Sequence, residues 1–67
     1  MSEKKLAELL SKIEEKADDL SKEINLFLDQ FGSGISSEEH SSLTSALKLL
    51  DLAKYYIKKA KTSMMNA

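Results

Sequence analysis

The chain has 67 residues, carries no cysteine and one histidine, and balances ten basic against eleven acidic side chains for a net charge of −1. These numbers exclude a disulfide staple and a thiolate–metal site, and below about 70–80 residues a single core seldom suffices without a staple or a second chain. All ten basic residues are lysine. Without the arginine fork that reads bases and grips phosphates, nucleic-acid recognition starts from a weak position.

The opening Met1-Ser2-Glu3-Lys4-Lys5 is followed by no apolar run of the kind a signal peptide needs. No stretch approaches about 18 uninterrupted apolar residues. A cytoplasmic protein without a membrane span is therefore expected.

In the first segment apolar residues fall at Leu6, Leu10, Ile13, Ala17, Leu20, Ile24, Phe27 and Phe31. The spacing alternates between four and three, which is a heptad seam and excludes a strand. Ser2 is placed to cap the helix, and Glu3 suits the positive end of its dipole. The pattern predicts a helix over about 3–31.

Phe31-Gly32-Ser33-Gly34-Ile35-Ser36 holds both glycines of a chain that has no proline. Gly32 or Gly34 is expected to end the helix in the left-handed conformation. A loop over 32–36 follows.

Ser36 and Glu39 then have the spacing of a capping box. The second seam runs through Leu43, Ala46, Leu50, Ala53, Ile57, Ala60 and Met64. It predicts a helix over about 37–63, with fraying from Ser63 to Ala67. Two matched seams across a short loop give an all-α antiparallel two-helix hairpin, a single coiled-coil-like unit spanning 1–67. Residue i is expected near residue 67 − i, which sets Lys48 beside Asp18 and Asp19, Asp51 beside Lys16, and Lys54 beside Glu14 or Glu15. Residues 1–31 carry eight acids and five lysines, whereas 36–67 carry three acids and five lysines, so the halves attract.

The second helix also carries Leu47, Leu49, Leu52 and Tyr56 off its seam. At 100° per residue its apolar arc spans roughly 220°, about twice what an amphipathic helix needs. One neighbouring helix cannot cover such an arc. Leu9, Leu26 and Leu28 add apolar surface on the first helix. Leu49, Leu52, Tyr56, Leu47 and Leu9 are accordingly the expected protein-binding residues, completing a bundle with a partner or a second copy.

Catalytic and metal chemistry find little purchase. His40 stands among serines and glutamates in a helix's first turn, where capping explains the composition. The run Glu14, Glu15, Asp18, Asp19 lacks the Glu-x-x-His of di-metal bundles and is expected to be a solvated face. Gly32-Ser33-Gly34 lacks the strand and the Gly-Lys-Ser/Thr ending of a phosphate loop. Lys54, Tyr55, Tyr56, Lys58, Lys59 and Lys61 could meet an anionic surface, but cations are also favoured at a helix C-terminus. No enzyme, cofactor or metal is expected.

In size and layout, with the loop Gly32-Ser33-Gly34 and the following Ser42-Leu43-Thr44-Ser45-Ala46-Leu47-Lys48-Leu49-Leu50-Asp51, the chain resembles the small hairpin co-chaperones of type III secretion needle subunits. That resemblance implies docking on a helical-repeat chaperone in the cytoplasm, with Leu49, Leu52 and Tyr56 as natural contacts. The expected function is a non-catalytic adaptor or chaperone-like subunit. The alternative is a homodimeric four-helix-bundle regulator that binds nucleic acid or another regulator.

Overall fold

The structure, a computed structural model, describes residues 2–66. Helix α1 spans Glu3–Phe31, a 3-10 turn spans Gly32–Gly34, and helix α2 spans Ser37–Met65. The two helices pack against each other as an antiparallel hairpin. Helix α2 runs two residues beyond the expected end, and Ala67 lies outside the described residues.

Both helix starts are closed as their sequences direct. The Ser2 hydroxyl accepts from the Lys5 N–H at 3.2 Å. At α2 the Glu39 N–H donates to Ser36 Oγ at 3.1 Å, and the Ser36 N–H donates to Glu39 Oε1 at 2.8 Å. This reciprocal pair satisfies two N–H groups that have no partner inside the helix.

The turn differs from expectation. Among the described residues no glycine has a positive φ. Gly32 sits at φ −60° and ψ −29° with its N–H donating to the Leu28 carbonyl, and the chain passes directly into a 3-10 turn instead of a left-handed cap. A Cβ at Gly32 would lie 3.6 Å from the His40 ring, ordinary contact, and one at Gly34 would meet nothing within 4 Å.

The charged pairs also sit about one turn from their expected places. Lys54 Nζ lies 3.4 Å from Asp18 Oδ1 and 3.4 Å from Asp51 Oδ1 in its own helix. Lys61 Nζ lies 2.9 Å from Glu14 Oε1, and Lys58 Nζ 3.9 Å from Glu14 Oε2. Asp51 thus pairs within α2 rather than with Lys16, and Asp18 takes Lys54 rather than Lys48. The reason is side-chain direction. Helical side chains lean toward their own N-terminus, so in an antiparallel pair a long lysine on α2 reaches toward the turn while an acid on α1 leans away from it. Side-chain pairing is therefore offset from the backbone register.

The result is a rod of 48 × 15 × 14 Å with a radius of gyration of 15.3 Å, against roughly 11 Å for a compact chain of this length. Its accessible surface is 5199 Å². A compact monomer of 7.5 kDa would expose roughly 4,250 Å². The hairpin leaves uncovered a large area that a globular chain would bury.

Candidate protein-docking face

The buried line of α1 is made of small residues. Ala7, Ala17 and Ser21 are its only buried residues among those described, and no large side chain is fully buried anywhere among them. The half-buried residues Leu10, Ser11, Glu14, Asp18, Ile24 and Leu28 complete that line. The expected seam shares Leu10, Ala17 and Ile24 with it, seven residues apart. Leu6 is half-buried as well, but the remaining members turn away: Ile13 and Leu20 are each 49% exposed, Phe27 42%, and Phe31 is also exposed. Seven-residue spacing explains the choice. Residues 7, 14, 21 and 28 form a line beside 6, 13, 20 and 27, and small side chains on the first allow the helices to approach closely.

Helix α2 behaves alike. Leu43, Leu50, Ile57 and Met64 are half-buried, and so are Leu47, Lys54 and Lys61, again seven apart. Ion pairs from Lys54 and Lys61 to α1 show that this line faces the first helix. Leu47, expected to meet a partner, therefore lies along the hairpin's own seam. Ala53 and Ala60, expected in the seam, are exposed, and Ala46 is half-buried.

The ion pairs identify one broad side of the hairpin. Glu14, Glu15 and Asp18 of α1 and Asp51, Lys54, Lys58 and Lys61 of α2 line an open trough of about 840 Å³. Glu14 is not merely a solvated acid: the Lys61 hydrogen bond holds its carboxyl below the usual range. Hydrogen bonding to Lys22 does the same for Asp18, with Lys54 adding to it. Partial burial pulls the Lys54 ammonium down, but the hydrogen bonds to Asp51 and Asp18 outweigh it and leave its pKa raised. Of the lysines that could have met an anionic surface, Lys54, Lys58 and Lys61 are thus paired with acids of the protein, whereas Lys59 is exposed.

The opposite broad side is apolar. There Phe27 and Ile35 share a groove of about 420 Å³ with Leu43, rimmed by Glu38, Glu39 and Ser42. From this groove the stripe Ile13, Leu20, Phe27 runs along α1, opposite Ala46, Ala53 and Ala60 of α2. Phe31 stacks beside Phe27 at a centroid distance of 5.3 Å. Leu49 and Tyr56, 67% and 57% exposed, fall on one line of α2 that borders this side. Leu9 is exposed on the outer rim of α1, and Leu52 is exposed on the back of α2, directed away from α1.

Sequence reasoning assigned Ile13, Leu20 and Phe27 to the internal seam and so missed them as surface residues. The available signal was the line of Ala7 and Ser21, small side chains one heptad step away from the large ones. The open face therefore belongs to both helices, not to α2 alone.

Among the described residues no helix is long and apolar enough to cross a membrane. Comparison with family models, with curated proteins and with solved structures finds no match, so the reading of this face rests on its own geometry.

Proposed function

We propose that the chain is a non-catalytic protein-binding subunit, an adaptor or chaperone-like protein that acts through its open apolar face. One observation carries this reading: Ile13, Leu20, Phe27, Leu49 and Tyr56 are exposed along a hairpin whose own interface, among the described residues, buries only two alanines and a serine. Large contiguous apolar patches on small proteins mark contact surfaces. The face is long, straight and bordered by two helices, which suits apolar helices as its occupant. A helical-repeat chaperone, the partner implied by the resemblance to secretion co-chaperones, would supply such helices, and a cytoplasmic setting fits that role.

Two other readings are weaker. Lys54, Lys58 and Lys61 are paired with Asp18, Asp51 and Glu14, which weighs against nucleic-acid binding. His40, the single histidine, is exposed in the first turn of α2 and lines neither the charged trough nor the apolar groove.

A photo-crosslinking residue at Phe27 or Tyr56, compared with one at Lys22 or Asp29, tests the reading in the native cell. Protein adducts from the first pair and none from the second are expected. Equal labelling from both sides, or none from the apolar side, would overturn it.

A further inference from the structure

The open face has a rim, and the charges on that rim are arranged symmetrically. Along α1 the outermost line bordering the face carries Leu9, Lys16, Glu23 and Gln30, spaced by seven. In helical bundles this is the flanking position whose charges pair with the neighbouring helix and set its orientation. Lys16 and Glu23 have opposite signs and are both exposed. The midpoint between them falls between Asp19 and Leu20, and Leu20 is the middle residue of the exposed stripe.

On α2 the line that borders the face carries Ser42, Leu49, Tyr56 and Ser63, without charge. Leu20 lies eleven residues before the end of α1 at Phe31, and Leu49 lies twelve residues after the start of α2 at Ser37, so the two stand at about the same level of the hairpin. A two-fold axis through that level carries Lys16 onto the height of a second copy's Glu23. The α1 rim is self-complementary about that axis.

We propose that a second copy of this chain covers the open face, packed about a two-fold axis that runs perpendicular to the helices at the level of Leu20 and Leu49. Each α1 then lies antiparallel to the other α1, and each α2 to the other α2, in a four-helix bundle. Leu20 meets its own counterpart, Ile13 meets Phe27 of the second copy, and the alanines of the two α2 helices allow close approach. The alternative axis, parallel to the helices, sets α1 against α2 of the second copy. It sets Lys16 and Glu23 against the uncharged line of Ser42, Leu49, Tyr56 and Ser63, with no charge pair. The α1 rim chooses between the two arrangements.

The area agrees. The hairpin exposes about 950 Å² beyond a compact chain of its mass, and each partner in a standard interface buries about 800 Å². This inference rests on the docking role of the face and specifies a second copy as its occupant when the chain is alone, a copy that a partner's helices would have to displace.

The test uses the full chain, which has no cysteine of its own. Leu20→Cys is expected to form an interchain disulfide on mild oxidation, and Leu6→Cys, far from the axis, is expected to form none. Sedimentation velocity should show a dimer whose dissociation constant rises about tenfold in Lys16→Glu or Glu23→Lys, since each change sets like charges together twice. The double exchange Lys16→Glu with Glu23→Lys should restore it. Circular dichroism verifies that the variants stay helical. A monomeric wild-type chain, equal crosslinking at Leu6 and Leu20, or a double exchange no better than the singles would overturn the second copy. The docking role would still stand if photo-crosslinks to other proteins map to Phe27 and Tyr56. It would fall if a dimer forms while those crosslinks come equally from the charged side.

Discussion

Ser21→Ala should make the hairpin more stable. Ser21 is 7% exposed, directly on the line by which α1 meets α2, and its hydroxyl has no hydrogen-bond partner among the described residues. A buried hydroxyl without a partner costs about 1–3 kcal/mol. Alanine also gains roughly 0.5 kcal/mol in helix propensity over serine. Against this stands the void left by one oxygen atom, a small term where the neighbours are themselves small. A net gain of about 1–2 kcal/mol follows, which for a chain of this size raises the melting temperature by roughly 5–15 °C. Urea unfolding followed by circular dichroism, with wild type and variant at equal concentration, measures it. A loss of stability of about 1 kcal/mol would refute the reasoning. It would mean that the hydroxyl is satisfied, for instance by donating to the Ala17 carbonyl one turn earlier.

Other perturbations separate the caps, the charged side and the two faces. Ser36→Ala removes the hydroxyl that accepts from the Glu39 N–H, while the backbone N–H bond to Glu39 can remain, and should cost about 0.5–2 kcal/mol, read from the urea midpoint. Gly34→Ala should add about 0.4–1 kcal/mol of stability, read from the same midpoint, because its φ is not positive and a Cβ there meets open space. Glu14, Asp18 and Glu39 have depressed pKa values in the folded protein, the last through the Ser36 N–H and hydroxyl. Their contribution is therefore complete above the unfolded carboxylate range and lost as pH falls through the folded values. Stability should hold from pH 7 to about 5 and fall below about 4, with the fall reduced in Glu14→Gln. Finally, Leu50→Asp places a charge in the hairpin seam and should abolish helicity, whereas Leu20→Asp should abolish association and leave a helical hairpin whose urea midpoint no longer rises with concentration. Equal loss of helicity in both would contradict the division between inner line and open face.

The sequence revealed the elements more fully than their facing. The capping residues Ser2 and Ser36 and the breaker cluster at Gly32–Gly34 locate the helix bounds, because each acts locally on backbone N–H and carbonyl groups. Which apolar line turns inward is a tertiary question. Leu10, Ala17 and Ile24 belong equally to two overlapping heptad lines, one completed by Ile13, Leu20 and Phe27, the other by Ala7, Ser21 and Leu28. Size favours the first as a core, and close helix approach favours the second. Leu49 and Tyr56 were readable as excess apolar circumference, and they are exposed. Leu47 was not distinguishable from them until the Lys54 and Lys61 ion pairs oriented α2. The ion-pair offset likewise depends on side-chain direction, which a residue-level register ignores.

The dependence of the urea unfolding midpoint on protein concentration probes most directly whether this hairpin needs a second surface to cover it. The midpoint of the chain alone should climb steadily from micromolar to millimolar concentration, as mass action demands when association supplies the missing core. A midpoint that stays constant over that range, in a monodisperse and cooperatively folding monomer, would contradict the account.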